Sequence, residues 1–491
     1  MFVKVLSYTD SAHNLMERKE NFFKIKHLYH RAGFGIAYPD LHKASNRNFH
    51  KTVNLLFSQA TVIDPGLTTV DQQETRQQLL QQAGLGAKKE LTPAESEQRK
   101  AIIRMQNAKS RDLNIAWIQK MIDSDSPLLE KMTLFWHGHF ACRSNNPYYA
   151  QQLNNIQRKN ALGSFKTLAM EVSQSPAMLQ YLNNQQNRKN RPNENFAREL
   201  MELFALGRGN YTEKDVKEAA RAFTGWSYNK EGEFEFRRNL HDEGSKTFLG
   251  KTGNFDGEAI IDIILEQPAA AEFICKKLYT FFVNDRSNET HIKELARHFY
   301  AKSYNIAAVM EKIFKSDWFY DTENRGNIIK SPAELLVSLS KTFYVKYQKP
   351  QVLIQLQSSL GQYLFNPPNV AGWPGGKNWI DSSSLMLRMK IPSLVLNDGL
   401  IDFNGKADPE DEALLAINRK GKARPVKSYI NATADWTRFL ASLPKNCSAE
   451  QLASFLLQPG LNSKIKSLID HEATLKNVAI EITSTPEYQL C

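Results

Sequence analysis

The run from Arg191 to Gly207, R-P-N-E-N-F-A-R-E-L-M-E-L-F-A-L-G, commits the middle of the chain to helix more firmly than any other stretch. Asn193 is placed to act as N-cap beside Pro192, and Gly207 stands where a helix ends in a left-handed residue. At ~100° per residue, Phe196, Ala197, Leu200, Leu203 and Phe204 form one apolar stripe, which belongs in a core. Asn195, Glu199 and Glu202 share a second strip, and Arg198 lies within one turn of both Glu194 and Glu202. Two readings of that strip stay open. It is a solvated face knitted by ion pairs, or it carries chemistry, because Glu199 borders the apolar stripe and a half-buried carboxylate needs a partner or a function.

The same punctuation recurs along the chain. Thr92-Pro93-Ala94-Glu95 and Ser331-Pro332-Ala333-Glu334 are capping boxes that open helices, and Thr212 with Asp215 is a weaker version. Ser126-Pro127 starts a helix in which Leu128, Met132, Phe135, Trp136 and His139 recur on one apolar face. The departure is E-F-E-F, ending at Phe236, whose alternation predicts a short strand or hairpin from about Ser227 to Asn239. The fold expected is therefore mainly α, a large multi-helix domain with a small β-hairpin insertion. Its segments read as an N-terminal helical part (1–63), a Gln-rich polar insertion or lid (64–95), a helical core carrying the candidate site (96–400), a charged linker (401–427) and short C-terminal helices (428–491).

Several groups could add chemistry to the central helix. His137 and His139 flank Gly138. If the helix continues through the glycine, their side chains point roughly 200° apart, and if it stops there the two rings can converge on a metal. The alternative for each is a satisfied buried imidazole. His241, Asp242, Ser245 and Lys246 cluster beside Gly244 and Gly250 and suit a general-base or anion-binding role, or simply a structured turn. His27 and His30, one turn apart, could bind a metal as a pair, but with no third ligand nearby they read as packing or capping. Arg143, in the polar loop after His139, is placed to bind an anion. The stretch N-P-P-N-V-A-G-W-P-G-G-K-N-W presents Trp373 and Trp379 on a rigid loop, suited to stacking on a sugar or a partner, or to plugging the helical core.

Taken together, H-L-Y-H-R-A-G-F-G (His27 to Gly35), L-F-W-H-G-H-F (Leu134 to Phe140), the central helix running on to Trp226, H-D-E-G-S-K-T-F-L-G (His241 to Gly250) and the Pro/Gly/Trp loop resemble the bacterial family called domain of unknown function 1800. The resemblance covers nearly the whole chain in the family's order. It implies a large helical bacterial domain, with no established activity and no agreed catalytic residues to carry over, often exported and encoded beside a sulfatase-like companion.

Charge narrows the partners. Lys+Arg 63 against Asp+Glu 52 leave a net +11, which favours anionic ligands, although no nucleic-acid module accompanies it. The four cysteines are far apart, with no C-x-x-C pair, so neither a zinc ribbon nor a disulfide framework is indicated. No stretch approaches the ~20 apolar residues of a membrane span, and the N-terminus lacks an apolar signal core, which points to the cytoplasm; the resemblance points instead to export.

Two functional expectations follow. The first is an enzyme, a hydrolase or group-transfer catalyst acting on a phosphate, sulfate or acidic sugar substrate. In it Glu199, Glu202, His241 and Asp242 are catalytic, and Arg198, Asn195, Lys246, Trp226, Trp373 and Trp379 bind substrate. A divalent metal could sit on His137 and His139. The second is a non-catalytic helical scaffold that docks an acidic ligand or the sulfatase-like companion.

Overall fold

The computed structural model describes residues 20–62, 64–86, 90–397, 400–402, 427–469 and 472–491. Most of the charged linker, and the N-terminal residues read for export, lie outside the described residues.

Helices dominate, and they begin where the capping signals place them. Thr92 accepts from the Glu95 amide while the Glu95 carboxylate takes the Thr92 amide, opening a helix over Pro93–Asp123. Ser331 and Glu334 repeat the exchange at the head of Pro332–Thr342, and Thr212 and Asp215 at the head of Glu213–Ala222. Each closed box satisfies two backbone donors that a helix start otherwise leaves to water. The Gln-rich stretch forms a helix, Gln72–Gly86, pinned by Glu74 to Lys109 (3.1 Å) and by Arg76 to Glu231 (2.7 Å).

Among the described residues, strands come only as antiparallel pairs. The predicted hairpin is present, with Trp226 opposite Phe236 and Tyr228 opposite Phe234. A second, Lys246–Phe248 with Lys251–Gly253, follows directly. The chain is thus a mainly α protein with small β insertions.

Two large apolar clusters organise the helices. One gathers residues from Leu28 through Tyr320, Trp136, Phe165 and Phe204 among them. The other joins the N-terminal helix (residues 20–31) to the helices after Ser331 and to the C-terminal segment. A smaller cluster around Trp117, Leu353 and Leu364 lies under the Pro/Gly/Trp loop.

Candidate functional site

The central stretch begins as an α-helix, Asn195–Glu199, and widens over Leu200–Ala205 into a π-helical turn. The Leu206 and Gly207 amides both reach back to the Met201 carbonyl, at 3.0 and 2.8 Å, and Gly207 takes the left-handed conformation expected of it (φ +83°). Asn193 accepts from the Asn195 amide at 3.0 Å, so it holds the entry to the helix. Phe196, Ala197, Leu200 and Phe204 are buried as the stripe predicts. A π-helical turn is a local departure from the best hydrogen-bond geometry and is frequent at functional sites.

On the polar strip the carboxylates part company. Glu202 receives the Arg208 guanidinium at 2.5 Å and the Tyr211 hydroxyl at 3.1 Å, and burial together with this partnership pushes the Tyr211 phenol up to about 12. Arg198 turns away to Glu213 (2.7 and 2.8 Å) and Glu194 (3.1 Å), which hold its pKa above the usual range. Asn195 donates to the Leu182 carbonyl at 3.3 Å. Glu199 is half-buried and, among the described residues, has neither a hydrogen bond nor an ion pair. Burial and the neighbouring Glu202 charge raise its pKa. Glu199 also presses on the Tyr181 phenol, whose pKa is raised mainly by burial and which feels Arg143 as well. Tyr181 has no signal in the sequence that would nominate it, since only folding brings it near residue 199.

The histidines do not join this strip. The Pro127–His139 helix runs through Gly138, so the two rings diverge as helix geometry requires. His137 is buried between Trp117, Phe365 and Trp373, and its Nε2 accepts the Phe365 amide at 3.1 Å. His139 faces Phe135, Phe140 and Phe204, and its Nε2–H donates to the Phe204 carbonyl at 2.9 Å, within the π-helical turn. Burial drives both imidazoles down to about 3, so both are neutral. Among the described residues no three His, Cys, Asp or Glu side chains are grouped to hold a metal ion.

His241, Asp242 and Lys246 form a different, closed network. The buried His241 ring donates from Nδ1 to the Thr224 carbonyl at 2.9 Å. Asp242 is gripped by Arg221 (2.7 and 3.2 Å) and by the Gly244 amide (2.8 Å), which hold its carboxyl below the ordinary range against the opposing effect of burial. Lys246 is buried and donates to the Asp242 and Gly244 carbonyls at 2.5 and 3.0 Å. Arg198 meets Glu213 at one end of the Glu213–Ala222 helix, whereas Asp242 meets Arg221 at the other. At 1.5 Å per residue those anchor points lie about 12 Å apart, so the central strip and the His241 network are separate places.

The aromatic groups are also committed. Trp226 is buried against Phe223 and Phe234. Trp379 is buried, and Trp373 is half-buried over His137 at 5.6 Å. A surface cavity of about 320 Å³ lies elsewhere, between Lys24, Phe49, His50 and Tyr320, and includes none of the residues nominated from sequence.

The class of molecule is therefore a large mainly α protein, with small hairpins beside a central helix that carries one unpartnered carboxylate. More particularly, residues 27–490 match the family model described as "Protein of unknown function (DUF1800)", and the chain belongs to that family. No curated protein and no solved structure matches it. No helix among the described residues is long and apolar enough to cross a membrane.

Proposed function

We propose that the protein is a hydrolase or group-transfer enzyme acting on an anionic substrate, with Glu199 as its proton-transfer group. One observation carries this reading. The other charged groups nominated as catalytic or substrate-binding, Glu202, Arg198, Asp242 and Lys246, each bond to a neighbour, while Glu199 stays half-buried, unpartnered and raised in pKa beside Glu202. A carboxyl whose pKa is raised by its surroundings is better matched to acid–base catalysis than an ordinary exposed one. Tyr181 and Arg143 share its surroundings, the first as a second proton donor and the second as a cation for substrate charge.

The test is a panel of chromogenic phosphate esters, sulfate esters and glycosides, run on the wild type and on Glu199→Gln. Turnover by the wild type that falls about 100-fold or more in a stably folded Glu199→Gln supports the reading. A substrate turned over equally by both proteins removes Glu199 from the chemistry.

A second reading has its own support. Because Arg198, Glu202, Asp242, Lys246 and the three histidines are internally satisfied, the surface also suits a helical scaffold that docks an acidic ligand or a sulfatase-like companion. A wild type silent across the whole panel, yet binding such a companion with Glu199→Gln binding equally well, selects it.

A further inference from the structure

The interior is electrostatically lopsided. Among the described residues seven lysine and arginine side chains are buried, against two side-chain carboxylates, Glu130 and Glu334. Glu130 is held by Arg158 at 2.8 and 3.0 Å, and Glu334 pairs with Lys131. The other five cations have no carboxylate in ion-pair reach. Two of these are accounted for by backbone dipoles. Lys26 donates to the Ser454 and Leu457 carbonyls at the negative end of the Ala449–Leu456 helix, and Lys246 to its own loop.

The remaining three gather where the N-terminal helix meets the C-terminal segment. Lys330 has one carbonyl, that of Tyr488 at 2.7 Å, and the face of the same ring at 4.0 Å. Arg388, fully buried, gives Nη2 to the Lys330 carbonyl, while its Nε and Nη1 have no partner. Arg31 gives Nη2 to the Asn324 carbonyl and to Asn327 and Nη1 to the Cys491 sulfur at 3.9 Å, and leaves only Nε unpartnered. Buried cations normally come with a counter-charge, because desolvating an unpaired one costs several kcal/mol. Beside them a cavity of about 10 Å³ is lined by His30, Lys131, Lys330, Glu334, Ser338 and Cys491. That is room for one water-sized species.

We propose that this cavity binds a single inorganic anion of halide size, chloride under ordinary conditions, against the Lys330 ammonium group, Lys131 being already held by Glu334. A tetrahedral oxyanion is too large for it. The ion would tie together three separate parts of the chain: the N-terminal helix through His30, the Pro332–Thr342 helix through the Ser338 hydroxyl, and the short pairing of residue 329 with residue 490.

The test compares thermal unfolding in sodium chloride with unfolding in sodium gluconate of equal ionic strength, and locates bromide in crystals by anomalous scattering. Chloride should raise Tm saturably by on the order of 2 °C over gluconate, with a bromide peak at Lys330. Lys330→Met should lose the difference between the two salts. If that variant does not fold, the bromide map of the wild type decides alone. Equal Tm in both salts with no peak in this cavity overturns the proposal, and so does a chloride effect whose bromide peak lies elsewhere.

Discussion

Ionising Glu199 is costly where it sits, because the carboxylate is half-buried and Glu202 places a second negative charge nearby. Its folded pKa lies above the value in the unfolded chain. The stability it contributes is therefore fully present below the unfolded pKa near 4.5 and is lost as pH rises through the folded one. At neutral pH the charge is a liability, and Glu199→Gln should raise stability by a few tenths of a kcal/mol up to about 1, given the solvent screening of a half-exposed group. Denaturant melts at pH 7 and pH 4 check this: the gain should be present at the first and gone at the second. A variant less stable than wild type at pH 7 would mean that Glu199 has a stabilising partner after all. The sequence made Glu199 legible because the helical period puts it at the border of the apolar stripe. The pairing of Arg198 with Glu213 was not legible, because fifteen residues and a turn separate them and two nearer carboxylates compete. His241 and Lys246 read in sequence as either chemistry or a structured turn, and in the structure both bond to backbone carbonyls around the loop that holds them.

At the scale of elements, the Pro/Gly/Trp loop is a closure over the end of the Pro127–His139 helix. Its approach is fixed by His137, which holds the Phe365 amide where Phe365 adopts a left-handed backbone (φ +66°), a conformation disfavoured for a bulky residue. Farther along, Gly372 takes φ +79°, and a Cβ there would stand 2.5 Å from the Gly138 carbonyl. Contact and conformation both oppose any side chain, so Gly372→Ala should lower stability by about 2 kcal/mol or more. The same change should unseat Trp373 from His137, which tryptophan fluorescence reads directly. An unchanged melt and an unchanged spectrum would show that the loop is not seated as described. The loop's rigidity was visible from its prolines and glycines. Plugging the core stands beside stacking on a ligand with no choice between them, because aromatic faces on a stiff loop look the same in sequence whether they meet a ligand or the protein's own core. Capping boxes, by contrast, are local contracts between residues three apart, and every one named from sequence closes. The divergence of His137 and His139 turned on whether Gly138 ends the helix, and the alanine-like continuity of the backbone through it decided the matter.

Across the whole molecule, the buried bases set how stability responds to acid and alkali. His137 and His139 have folded pKa values of about 3, and those of His27 and His30 are also well below the usual 6.5, burial being the first cause in each case. Between the folded and unfolded values the unfolded chain binds more protons, so stability rises with pH through that window and falls as pH drops below about 6.5. From pH 7 to pH 5 each such imidazole removes about 2 kcal/mol if its folded form stays neutral. The lysines continue the trend upwards. Burial lowers Lys26 to about 7 and Lys330 to about 8, so between those values and the unfolded 10.5 stability again increases with pH. The protein should therefore gain stability from pH 5 through pH 9, with urea midpoints climbing across the whole range, where an ordinary domain levels off between about pH 5 and 8. The alkaline limb distinguishes the two buried lysines: Lys26 is stabilised by helix-end carbonyls only, whereas a halide beside Lys330 would hold its proton and flatten that part of the rise. Midpoints taken in gluconate should climb more steeply above pH 7 than those taken in chloride. A profile flat between pH 5 and 7 would show that the four imidazoles are hydrated or paired in solution, and that the lopsided interior is not electrostatically dry.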